Sequence, residues 1–219
     1  LEFKLAKVTH LEQYGNQIKL TYDDGSWAMA FPTSGGLWYI SDVSAGPGPG
    51  PGPGATGFSW PFSLSNVSSE FGPRTGPIGS FHEGIDFSGG TAHAGAKIFA
   101  TNDGTVEKIN INSNYGYSVQ LFHGVDAPTG YGLHTLYAHF QSFPMVGNGD
   151  RVVKGQQIGV LGASGDAQGA HLHFETHTCP NNGPIRHNTN NTTDSLTVRT
   201  AINPRAFMTT YGDGAVIPQ

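Results

Sequence analysis

Cysteine is nearly absent. Cys179 is the single one in 219 residues, so no internal disulfide forms and no zinc site is built wholly from thiolates. Next to Pro180 it reads as an ordinary polar-loop residue. Charge is scarce as well, with Asp, Glu, Lys and Arg at 12% of the chain, against about 25% in a typical domain. The net charge of −5 excludes the basic stripe that nucleic-acid binding requires. No apolar run approaches the ~18 residues of a membrane-spanning helix, so membrane insertion is not expected. No signal-peptide pattern opens the chain, and Leu1 stands where Met would, as expected of a fragment or processed product. Sustained 3.6-residue apolar periodicity is also missing, apart from a short stretch near Pro204 to Met208. That excludes a helical bundle.

What is abundant is glycine, at 32 residues, about twice the usual share of roughly 7%. Polar character comes from Ser, Thr and Asn. The fold class expected is all-β, an antiparallel sheet or sandwich core preceded by a small N-terminal β module. Residues 1–45 form that module. Asn16 to Tyr22 alternates polar with apolar and ends in Asp23-Asp24-Gly25, a hairpin signal, with Ser26 to Phe31 returning and Leu37 to Ile40 as a third strand. Trp27, Trp38 and Tyr39 are either its core or an exposed aromatic face. Residues 46–54 alternate Gly and Pro without the collagen period and read as a semi-flexible linker, reaching at most about 28 Å at roughly 3.1 Å per residue. From residue 55 to 219, short strands follow one another. Thr105 to Ile109, Tyr117 to Phe122, Leu133 to Phe140, Gln157 to Leu161 and His171 to Thr176 are the clearest, and residues 178–196 read as a long Asn-rich loop.

Three stretches carry chemistry: His82-Glu83-Gly84-Ile85-Asp86-Phe87, Leu136-Tyr137-Ala138-His139-Phe140 and His171-Leu172-His173. In a strand, residues two apart share a face. His171 and His173 are therefore expected side by side with Glu175 behind them, while Leu172 and Phe174 turn into the core. A hydrolytic zinc site needs three protein ligands from His and Asp/Glu with one position open. His82, Asp86 and His173 supply two imidazoles and a carboxylate. Their four-residue spacing suits a helix, yet Gly84 argues for an extended loop running into a strand. His139 and His171 remain to move protons and to donate to a tetrahedral oxyanion. Glu83 and Glu175 are second candidates, for fixing ligand tautomers. Arg74 is either a turn-stabilising residue or a substrate contact. His177 reads as groove wall, and His93, His123, His134 and His187 as surface or structural residues.

The chain from about Trp60 to Met208 resembles the lysostaphin-type zinc metalloendopeptidases. The residues that carry the resemblance are Phe71-Gly72-x-Arg74, His82-x-Gly84-x-Asp86-Phe87, Gly104-Thr105-Val106 and Tyr115-Gly116. Leu136-Tyr137-Ala138-His139, Val153-Lys154-Gly155-Gln156, Gly159-x-x-Gly162-x-Ser164-Gly165, His171-Leu172-His173-Phe174-Glu175 and Asn203-Pro204 continue it in order. The resemblance implies one zinc ion on His82, Asp86 and His173, catalytic roles for His139 and His171, and a loop-bordered substrate groove over an antiparallel β core. It implies cleavage of peptide cross-links or stem peptides of bacterial peptidoglycan, by a monomer that is secreted or phage-associated and acts at the cell wall. The alternative is a structural phage-tail or regulatory wall-binding protein that keeps the fold. Residues 1–44 lie outside the resemblance.

Overall fold

The computed structural model describes residues 7–14, 17–23, 27–32, 38–40, 57–74, 81–126, 128–180 and 200–219. The chain divides into two compact units, Leu1–Pro49 and Gly50–Gln219, and each stands by itself below. The 46–54 linker, the 181–196 part of the expected loop and His187 lie outside the described residues, as do the side chains of Trp27, Trp38 and Tyr39.

The first unit is a four-stranded antiparallel meander of Val8–Tyr14, Gln17–Tyr22, Trp27–Pro32 and Trp38–Ile40, in that order. Three of these are the expected strands. Val8–Tyr14 is an addition, and a register shift between Val8 and His10 explains why its sequence does not alternate cleanly.

The second unit is built on one large antiparallel sheet. Its strands run in the order Arg151–Val152, Gly104–Asn112, Gly116–Val125, Tyr131–Phe140, Leu172–Pro180, Ile85–Phe87, Val67–Ser69, and Thr200–Ile202 also pairs with Leu172–Pro180. The pairing register sorts the side chains. Val106 lies opposite Leu121, Val119 opposite Tyr137, Tyr137 opposite Phe174, and Phe174 opposite Ile85. All of these are buried and share one face, which is the core. Each large apolar side chain so buried contributes about 1.5–3 kcal/mol relative to exposure. Alternation then forces the intervening residues, among them Gln120, His134, Asp86, His173, Glu175 and His177, onto the opposite face. That face is polar, yet these residues are buried as well.

Smaller pairings close the unit. Lys97–Phe99 pairs with Gln157–Val160, Gly72–Pro73 with Phe81–His82, and Phe58–Trp60 lies parallel to Gly212–Val216. The single α-helix among the described residues is Pro204–Tyr211, longer than the stretch expected to Met208. The Asn203 side chain accepts from the Arg205 amide and caps its start, and Pro204 occupies its first turn. The 178–196 stretch needs correction at its start. Residues 178–180 continue the strand, because Thr178, Cys179 and Pro180 still pair with Leu133, Gly132 and Tyr131. Cys179 is consequently a buried core residue and not a loop residue.

Candidate metal centre

Strand register places the first two groups. Asp86 sits directly opposite His173 across the Ile85–Phe87/Leu172–Pro180 ladder, so carboxylate and imidazole project together from the polar face. His82 arrives from the short Phe81–His82 strand, with two residues of bend before Ile85. The chain there is extended, as Gly84 suggested. A Cβ on Gly84 would lie 2.5 Å from the Phe174 carbonyl oxygen and 2.9 Å from His173 Cε1, so only glycine lets this loop lie against the strand that carries His173.

The three candidate ligand atoms, His82 Nε2, Asp86 Oδ1 and His173 Nδ1, converge. Nε2 of His82 is 3.1 Å from Asp86 Oδ1 and 3.0 Å from His173 Nδ1, which is itself 2.8 Å from Asp86 Oδ1. Outer partners decide which nitrogen carries a proton. His82 Nδ1–H donates to the Glu70 carbonyl at 2.7 Å, and His173 Nε2–H donates to Glu175 Oε1 at 2.9 Å. Two imidazole lone pairs and a carboxylate oxygen are thereby turned toward one point, an arrangement that a cation stabilises. The donor set of two nitrogens and one oxygen fits zinc, and His82, Asp86 and His173 are buried with all three ligand atoms within 4.8 Å of one another. The other carboxylate oxygen, Asp86 Oδ2, accepts from Arg74 at 2.8 Å, and Arg74 also donates to Ser69 Oγ. Neither reading for Arg74, turn-stabilising residue or substrate contact, anticipated this bond to Asp86.

Electrostatics follow from these contacts. Burial would raise the Asp86 carboxyl, but the imidazoles of His173 and His82 packed against it hold it far below the usual carboxylate range. Burial would lower His173, and it is outweighed by the bonds to Asp86 and Glu175, which lift its pKa to about 9.

His139 and His171 stand beside the cluster, their rings 4.5 Å apart. His139 is the one non-glycine residue among those described with a positive φ, 63°. Three bonds hold it there. Its amide donates to the Tyr115 carbonyl, its own carbonyl accepts from the Gly162 amide, and its Nδ1–H donates to the Ser164 carbonyl at 2.8 Å. Strain of this kind persists only where the surroundings over-determine it. Burial, with the neighbouring His171 and His173, pulls its pKa down to about 4. His171 does not lie within the strand as expected, since the strand begins at Leu172. It still faces the cluster, with Nε2 at 3.8 Å from Asp86 Oδ1 and Nδ1–H donating to the Gly169 carbonyl at 2.9 Å.

All five groups line an open groove of about 600 Å³, walled by Ser69, Arg74 and Phe81 on one side and by Asn114, Tyr115, Asp166 and Gln168 on the other. The two walls come from loops, of which the second is clasped tightly. The Gly116 and Gly165 backbones approach so closely that a Cβ on either would lie 2.3 Å from the other loop. Glu83 is exposed on the lip. Glu175, by contrast, is fully buried beneath His173, and so is His177, whose Nε2–H donates to Glu175 Oε2 at 2.7 Å. His177 is therefore not groove wall. The strand runs straight past the groove floor and carries His177 beneath it. His123 and His134 are buried and structural, and His93 is exposed. Tyr115 and Ser164 were not singled out as site residues from the sequence. The Tyr115-Gly116 and Ser164-Gly165 pairs were the available signal, and their meaning depends on two loops distant in sequence meeting in space.

Part of the chain is 38% identical over 120 residues to the peptidoglycan DD-endopeptidase ShyC of Vibrio cholerae, covering 52% of this chain and 25% of that protein. It is 34% identical over 119 residues to the DD-carboxypeptidase/endopeptidase Mpg of Neisseria meningitidis, again 52% of this chain and 25% of that one. The chain thus spans about a quarter of the length of these curated relatives. Among solved structures, the antimicrobial peptidase lysostaphin from Staphylococcus simulans superimposes with a TM-score of 0.51 at 25% identity, covering 75% of this chain and 59% of that one. The description of peptidase family M23 matches residues 80–189, half of the chain, which includes the cluster and both flanking histidines. The chain belongs to peptidase family M23, a family of zinc metallopeptidases.

Proposed function

We propose that this chain is a zinc-dependent endopeptidase that cleaves peptide cross-links or stem peptides of bacterial peptidoglycan, working at the cell wall from a secreted or phage-associated protein. Residues 55–219 carry the chemistry, 46–54 act as linker, and 1–45 form a separate β module. The observation that carries this reading is the convergence of His82 Nε2, Asp86 Oδ1 and His173 Nδ1 at the floor of an open groove, with two further imidazoles on its free side. The substrate class is supported by the names of the relatives, which act on peptidoglycan.

His82, Asp86 and His173 would hold the zinc, which would serve as a Lewis acid to acidify water and polarise the scissile carbonyl. The protein's part is positioning and proton transfer. His139 is neutral at pH 7 by virtue of its burial, and its Nδ1 is committed to Ser164, so Nε2 is the nitrogen that accepts the water's proton. His171 holds its Nδ1–H on Gly169 and presents Nε2 beside the cluster. Once protonated, either imidazole donates to the tetrahedral oxyanion or returns the proton to the leaving amine. Arg74 keeps Asp86 to one coordinating oxygen by occupying the other. Zinc analysis together with turbidity loss of purified cell walls tests the reading. Wild-type lysis that disappears in both His171→Ala and His173→Ala is expected, and undiminished lysis in both variants refutes it. Mass analysis of fragments released from a wall of defined structure identifies the bond.

A further inference from the structure

We propose that Tyr115, Glu175 and His177 form a positioning relay that fixes which nitrogen of His173 faces the metal. This rests on the zinc reading above and deepens it. Glu175 is two residues beyond His173 on the same strand face, and it is fully buried. Its carboxylate is shared three ways. Oε1 accepts from His173 Nε2–H at 2.9 Å and from the Tyr115 hydroxyl at 2.6 Å, and Oε2 accepts from His177 Nε2–H at 2.7 Å.

An isolated imidazole exchanges its proton between two nitrogens. Here the carboxylate holds the proton at Nε2, which leaves the Nδ1 lone pair for the ion. The carboxylate needs holding in turn. Rotation about its terminal torsion is broad in a free Glu; donors on both oxygens, one from the groove wall and one from the strand beyond, pin its plane.

Tyr115 does a second thing. Its backbone carbonyl is the acceptor for the amide of the strained His139. One residue on the groove wall therefore ties the ligand imidazole, through its hydroxyl, to the backbone of the neighbouring imidazole. The three are positioning residues: Glu175 acts on His173, and Tyr115 and His177 act on Glu175.

The test uses the full chain and measures zinc dissociation constants by competition with a chromophoric chelator, alongside thermal unfolding of the chelator-treated protein. Glu175→Gln keeps the size but leaves one oxygen for three donors, and it is expected to weaken zinc by about 10–100-fold. Tyr115→Phe removes one oxygen from a half-buried ring, and about tenfold weakening is expected, the low end of what one hydrogen bond to a charged group contributes. Wild-type zinc affinity in Glu175→Gln overturns the relay. Where that variant unfolds at a lower temperature without metal, Tyr115→Phe decides, and wild-type affinity there overturns it. Absence of zinc binding by the wild-type chain is a different result, and it refutes the metallopeptidase reading instead.

Discussion

His173 and His123 are both buried, 8% and 2% exposed, and they are pulled in opposite directions. His173 projects from the polar face of the sheet between two carboxylates, and its pKa is raised to about 9. The His123 ring donates from Nδ1 to the Asp103 carbonyl at 2.6 Å, accepts at Nε2 from the Thr135 hydroxyl at 2.7 Å, and packs edge-on against Phe58. No carboxylate offsets its burial, His134 nearby repels a positive charge, and its pKa falls to about 3. Burial alone therefore says nothing about what a histidine does. Carboxylate partners favour a positive charge at one, whereas a carbonyl and a hydroxyl make the other a neutral structural strut.

The comparison breaks most visibly at His173. His173→Ala removes a proposed ligand, so zinc affinity is expected to fall by more than the ~100-fold that loss of an outer partner costs, and wall lysis should become undetectable. Zinc analysis after dialysis checks this. Next in size, His171→Ala is expected to lower kcat by about 10²–10⁴-fold while the zinc content stays at one ion per chain. Retained turnover in His171→Ala would remove the imidazole from proton transfer. Loss of metal there would instead make His171 a ligand.

The difference between these two histidines was only partly legible in the sequence. The alternation around His173 placed Leu172 and Phe174 in the core and Glu175 on the same face as His173, because strand periodicity is local. The extended path between His82 and Asp86 was legible because Gly84 argues against a helix and fits a loop running into a strand. What was not legible depends on register between distant strands. His177 falls beneath the groove floor because the strand continues to Pro180, and His123 meets Thr135 because two hairpin strands pair around a bulge between Phe122 and Val125. The left-handed backbone of His139 was hidden as well. It ends a stretch that alternates like any strand, and the contacts that hold it come from Tyr115, Gly162 and Ser164.

His123 supplies a pH-dependent prediction. Its folded pKa of about 3 lies below the unfolded value near 6.5, so the unfolded chain binds more protons between these limits. Its contribution is complete above pH 6.5 and is lost progressively as pH falls toward 3, at about 1.4 kcal/mol per pH unit. Between pH 7 and 4.5 the loss from this group is about 3 kcal/mol. His123→Gln is expected to flatten the slope of stability against pH over this window, measured by denaturant unfolding of the chelator-treated protein. An unchanged slope would show that His123 is not held neutral.

Thr135→Val sharpens the same contrast at smaller cost. The substitution keeps the shape but removes the hydroxyl that donates to His123 Nε2 and lies 3.2 Å from the Tyr137 hydroxyl. A buried lone pair left unpaired costs about 1–2 kcal/mol, and Thr135→Ser should restore most of it. Zinc affinity is expected to stay at the wild-type value, because Thr135 lies opposite Leu121 on the core face, whereas His173 projects from the other. If Thr135→Val weakened zinc as well, the two faces of the sheet would be coupled, and the strut at His123 would belong to the machinery that positions the metal ligands.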